Sequence, residues 1–203
     1  DSEEEWKATF RDMFDSWSAI TGNEYIEVED DNAAWGAQGP FHGSPGRGDI
    51  RIVMARVTPT TFFAFNFFPE NGDMVIDSVW PWGRFGGALP EWRNMLAHEH
   101  GHGIGLFHTC PQDGTKLMEP TINTGFLGPQ LDDALGAQEL YGDPFEPSDT
   151  ASQAVDLAAQ GLTPDGPPLL LDRLSLHPFA DFDLLRVASR GGTSLFFQAT
   201  PTG

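Results

Sequence analysis

The chain has 203 residues, enough for one full domain and part of another, and its 39% hydrophobic and 12% aromatic content excludes wholesale disorder. Thirty acidic against eleven basic side chains give a formal charge of −19, which argues against nucleic acid or an anionic membrane as partner because the phosphate term would be repulsive. No apolar run approaches the length of a transmembrane helix, and the single cysteine, Cys110, excludes an internal disulfide.

Taken in order, residues 2–20 place Trp6, Phe10, Met13, Phe14, Trp17 and Ile20 three and four apart, one face of an amphipathic helix. Ser2 as cap, the acidic run Glu3-Glu4-Glu5 and the stop signal Gly22-Asn23 suit its two ends. Tyr25 to Val28 alternates as a short strand, residues 49–57 and 61–68 predict two more, and Met74 to Ile76 a fourth. Pro69 to Asp73 is a turn cluster between the last two. Pro90 then suits the first turn of a further helix, with Trp92, Leu96 and Ala97 on its apolar side.

That helix carries His98-Glu99-His100-Gly101-His102-Gly103-Ile104-Gly105-Leu106-Phe107-His108, which fits H-E-x-x-H-x-x-G-x-x-H. His98 and His102 lie four apart, one turn on the same helical face, and can hold one metal ion. Glu99 is rotated by roughly 100° from His98, beside the metal, where a carboxylate can take a proton from water. Gly105 permits a positive φ, so the chain turns and returns His108 as a third imidazole. Three neutral imidazoles with one open position make a catalytic zinc site, since structural sites close all four. His100 falls off the ligand face and is expected at the surface or supporting the ligands. Cys110 is expected as a partly buried thiol, not a ligand.

These residues resemble the metzincin zinc endopeptidases. Lys116-Leu117-Met118-Glu119-Pro120 looks like the family's Met-turn, whose methionine (here Met118) forms an apolar floor under the histidines. Residues 132–142 resemble the last helix of the matrixin branch, the matrix metalloproteinases and their bacterial relatives. The implied fold class is α+β: a twisted mixed sheet backed by two helices, then the zinc helix, Met-turn and C-terminal helix, followed by a partial all-β, sandwich-like segment. The strand running before the zinc helix would hold the substrate in extended form by edge pairing.

The resemblance also bears on other metals. A structural zinc of the animal matrixins is not expected, because Phe65 and Val75 stand at two of its histidine places. Asp49, Asn71 and Asp73 fall where matrixin calcium ligands lie, and oxygen ligands suit that cation. Asp77 matches a ligand of a second calcium site, but its usual acidic partner is Trp80 here.

Residues 1–143 are therefore expected to form the peptidase domain and 144–153 a proline-containing linker. In the tail, residues 146–151, 181–187 and 191–200 resemble the first part of a bacterial pre-peptidase C-terminal β-domain, so 154–203 is expected to be a partial copy of it. The reading that follows is a secreted bacterial zinc endopeptidase acting on protein or peptide, with Zn2+ on His98, His102 and His108, Glu99 as general base, and a structural Ca2+. Two alternatives stay open: a zinc hydrolase of non-peptide amides, and a non-catalytic adhesion or structural module on a peptidase scaffold. No signal peptide opens the chain, so a mature or trimmed form is expected. Matrixins place a strand ahead of the first helix, inside the sheet between the Tyr25–Val28 and 49–57 strands. Its absence predicts a gap, to be filled by a strand from a pro-segment or another chain.

Overall fold

The computed structural model describes residues 3–35, 48–57, 62–82, 90–163, 166–171, 174, 183–188, 194 and 196–198. It divides into two compact units, Asp1–Pro144 and Phe145–Gly203.

In the first unit, helix α1 (Glu3–Thr21) forms where the three-and-four spacing placed it. Its stripe is buried at Met13, Trp17 and Ile20, while Trp6 meets Trp92 edge-on with ring centroids 4.7 Å apart. The indole N–H of Trp17 donates to the Ala97 carbonyl at 3.1 Å, so this buried ring is also a satisfied one. Burial of a side chain of this kind contributes roughly 2–3 kcal/mol. The helix ends at Gly22, with φ +67°.

Three strands follow, β1 (Ile52–Ala55), β2 (Ala64–Asn66) and β3 (Met74–Asp77), in the spatial order β1-β3-β2. Strand β1 runs parallel to β3, Ile52 opposite Met74, and β2 runs antiparallel to it, Phe65 opposite Val75, so the sheet is mixed. Every residue of β3 is buried, as suits a central strand.

Two expectations are corrected here. Tyr25–Val28 is not a strand among the described residues, because no neighbouring backbone lies in register with it. A cavity of about 590 Å3 separates this segment from Ile50 and Ile52, with Phe10 and Phe14 on its α1 wall. The strand before the zinc helix is β3, and both its edges are already paired, so it cannot pair with a substrate. Among the described residues, the edge left open on the other side of the sheet belongs to β2.

Helix α2 (Pro90–Gly103) lies against β2 and β3, and α1 packs on α2 and on α3 (Leu131–Tyr141). The zinc-motif helix thus covers the sheet directly, and α1 packs on that helix while facing Ile50 and Ile52 across the cavity. The core joins Met74 and Ile76 to Trp17, Met95, Leu96 and Met118.

The second unit holds β4 (Val155–Asp156) paired in parallel with β5 (Leu185–Arg186). Ser148 donates to Asp183 at 2.8 Å and Arg186 pairs with Asp156 at 2.8 Å. Much of the 181–187 and 191–200 stretches lies outside the described residues. No described helix is long and apolar enough to cross a membrane.

Candidate metal centre

Helix α2 carries His98 and His102 one turn apart and stops just beyond them. The Gly105 N–H donates to the His102 carbonyl at 3.0 Å and the Leu106 N–H to that of Gly101 at 2.9 Å, the paired bonds of a Schellman stop. Gly105 has φ +105°, so the turn that redirects the chain needs glycine there. His108 returns with its Nε2 3.2 Å from Nε2 of His98 and 3.2 Å from that of His102. The ligand atoms of these three residues lie within 4.8 Å of one another. Tetrahedral zinc with ordinary Zn–N bonds asks for nitrogens about 3.3 Å apart. The spacing fits.

The tautomers fit as well. Nδ1 of His98 lies 2.7 Å from the Leu117 carbonyl oxygen and Nδ1 of His102 lies 2.7 Å from that of Leu106. Each Nδ1–H therefore donates to backbone, and each Nε2 lone pair points into the group of three. Burial holds His98 down to about 4 and pushes His102 in the same direction, so both imidazoles are neutral at neutral pH, the form that ligates.

Met118 is buried and packs against α2 at Gly101. A Cβ on Gly101 would collide with Met118 Sδ and come within 3.2 Å of Trp17. The methionine thus packs on an α2 position that has no side chain. This turn is held from α3: Asp133 Oδ2 and Oδ1 accept the amides of Leu117 and Met118 at 2.8 and 2.9 Å. Asp133 also accepts the Gln130 amide at 2.8 Å, capping its own helix.

Glu99 projects beside the ligand face and is half-buried. Burial raises its carboxyl to about 7, opposed by a hydrogen bond from the Asn66 backbone N–H. Asn66 is the last residue of β2, so Glu99 stands at the open edge of the sheet.

His100 is not at the surface. Two residues on from His98 it faces the opposite way, into α1, and is fully buried against Phe14, Trp17 and Tyr25. Its Nε2 lies 2.9 Å from the Tyr25 hydroxyl. Desolvation lowers its pKa to about 3, and burial pushes that of Tyr25 up to about 12. Cys110, expected partly buried, is exposed, because the chain beyond His108 runs over the surface.

At the expected calcium ligands, Asp73 accepts the Arg51 backbone N–H at 2.8 Å on Oδ1 and its guanidinium at 3.0 Å on Oδ2. The Asn71 side-chain oxygen accepts the Asp73 N–H at 2.9 Å, and Asp49 is exposed. Asp77 accepts the amides of Val57 and Val79 at 3.3 and 3.1 Å, which ties the ends of β1 and β3. Phe65 and Val75 are direct cross-strand partners.

The sequence reading missed two contributors. The Leu117 carbonyl could not be assigned to His98 from spacing, since 19 residues separate them. Asp133 carried a signal, an acidic residue in the first turn of its helix, but nothing local pointed it at the Met-turn amides.

Comparison with known proteins agrees with this geometry. The profile of the matrixin family matches residues 1–142. Metalloendoproteinase 1-MMP of Arabidopsis thaliana is 28% identical over 78% of this chain and 44% of its own length. Stromelysin-3 of Mus musculus is 27% identical over 97% of this chain and 39% of its own. Metalloendoproteinase 2-MMP of Arabidopsis thaliana is 30% identical over 68% and 38% respectively. The chain spans less than half the length of these relatives.

Proposed function

Because the chain belongs to the matrixin family, we propose that it is a secreted zinc-dependent endopeptidase, with His98, His102 and His108 as the zinc ligands and Glu99 as the general base. The observation that carries this reading is the convergence of three Nε2 atoms at zinc spacing, with a half-buried carboxylate next to them. Zinc bound there supplies Lewis acidity toward a carbonyl and acidifies water at neutral pH.

The chain's own groups do the rest. The Leu117 and Leu106 carbonyls hold two imidazoles in one orientation, and the buried Met118 serves as the apolar floor that the family likeness implies. Glu99 takes a proton from the attacking water and returns it to the leaving amine. The open edge of β2, ending at Asn66 beside Glu99, takes the substrate backbone as an added strand.

The calcium at Asp49, Asn71 and Asp73, the bacterial origin and the pre-peptidase C-terminal resemblance of the tail belong to the same proposal. So does a strand from a pro-segment or another chain beside β1. The cavity there and the single pairing of β1 among the described residues support that last part.

The test is cleavage of casein and of quenched fluorogenic peptides by the zinc-loaded chain. Activity should vanish with a zinc chelator and return with zinc. Glu99→Ala should keep one zinc per chain and lose at least about a hundredfold in rate. Turnover that ignores the chelator, or that is confined to small non-peptide amides, overturns the reading.

A further inference from the structure

Two aromatic rings lie stacked on the surface beside the ligand group. Phe68 and Phe107 have ring centroids 4.8 Å apart and planes 28° from parallel, and Phe68 is 5.4 Å from the ring of His102. Phe107 is 75% exposed and Phe68 39%.

The backbone explains the exposure of Phe107 but not the choice of residue. Between Gly105 and His108 the chain is committed to bringing His108 to the metal group, and Leu106 takes the inward position against the core. Position 107 is left facing out, where a polar side chain would lose nothing to water. An apolar pair joined to a candidate active site marks a contact surface more readily than a scattered exposed Phe does.

Its position relative to Glu99 follows from the sheet. The Phe63 carbonyl accepts the Asp77 amide of β3, and the Phe67 amide donates to the Asp73 carbonyl just before that strand. Strand alternation then turns the backbone groups of Ala64 and Asn66 to the open edge, where the Asn66 N–H meets Glu99. Phe68 lies two residues further along, about 7 Å at the rise of a strand.

Resting on the endopeptidase reading above, we propose that Phe68 and Phe107 form a platform that selects a large apolar or aromatic substrate side chain. The selected residue lies within three positions of the cleaved bond, on one side of it only. A ring laid on this pair gains offset or edge contacts as well as apolar burial, whereas a methyl side chain reaches neither.

The test uses one peptide that the zinc-loaded chain cuts, or failing a cut, one that it binds. Phe, Leu or Ala is placed in turn at each of three positions on either side of the bond. kcat/KM is measured for the native chain, Phe107→Ala, Phe68→Ala and Phe107→Tyr, with zinc content checked for each. In parallel, titration calorimetry with the zinc-loaded Glu99→Ala protein, with and without Phe107→Ala, reads binding of the same peptides without turnover. The expected result is one position at which Phe exceeds Ala about tenfold. That ratio should fall below about twofold in both alanine variants and survive in Phe107→Tyr, with zinc content unchanged. A ratio that is the same in the native chain and in Phe107→Ala, or a uniform loss across all peptides, overturns the platform and leaves the peptidase reading standing. Phe107-dependent preference in the calorimeter with no peptide cut by any zinc-loaded chain does the reverse.

Discussion

His98 and Leu117 are joined by a 2.7 Å hydrogen bond from the imidazole Nδ1–H to the main-chain carbonyl, so the Leu117–Met118 turn sets the aim of a candidate ligand on α2. The turn is in turn held by Asp133, whose two oxygens take the amides of Leu117 and Met118. Asp133→Asn replaces one of these acceptors with an amide that faces a donor. The expected outcome is about tenfold weaker zinc binding together with a lower melting temperature. Competition with a chromophoric chelator measures it, and native affinity in the variant would show that Asp133 does not reach the site.

Gly101 sets the distance between α2 and Met118. Gly101→Ala should lose roughly 1–3 kcal/mol in urea unfolding, because neither Met118 nor the fully buried Trp17 has room to withdraw. Adding Met118→Ala should cost less in that background than in the native chain. Additive losses would mean that the two residues do not compete for the same space.

The buried His100 makes the metal-free protein sensitive to acid. Its folded pKa of about 3 lies below the ordinary 6.5, so at neutral pH both folded and unfolded forms are neutral there. As pH falls below 6.5 the unfolded chain binds a proton that the folded one refuses, and stability is lost progressively toward pH 3. His98, at about 4, acts in the same direction. His100→Phe removes the first contribution. The stability of the native chain minus that of the variant, measured by urea unfolding in chelator, should therefore fall between pH 7 and 5. A difference that stays flat over that range would sink the assignment.

The proposed calcium site bears on the Asp73 loop. Binding to the folded form should raise the melting temperature, and a calcium-selective chelator should lower it. Any ion ligated by Asp73 competes with Arg51, so Arg51→Met should destabilise the calcium-free protein and enlarge the gain on adding calcium. Identical melts with and without calcium, in both proteins, would remove Asp49, Asn71 and Asp73 as a site.

Features that depend on residues a few positions apart were legible in the chain before any fold was known. The stripe from Trp6 to Ile20, the four-residue interval from His98 to His102 and the glycine at 105 are set by helical period and by φ freedom, and they read correctly as such. What depends on partners distant in the chain was settled by tertiary structure alone. Alternation at Tyr25–Val28 is a permission to pair, and among the described residues no strand lies in register with it across the cavity. His100 is a polar residue whose burial follows from α1 and Tyr25 packing over it. Which strand keeps a free edge is likewise a property of spatial order: β3 precedes α2 in sequence, yet it lies between β1 and β2 and has no edge to offer. Hydrogen bonds of the backbone are spent once, and only the assembled sheet decides where.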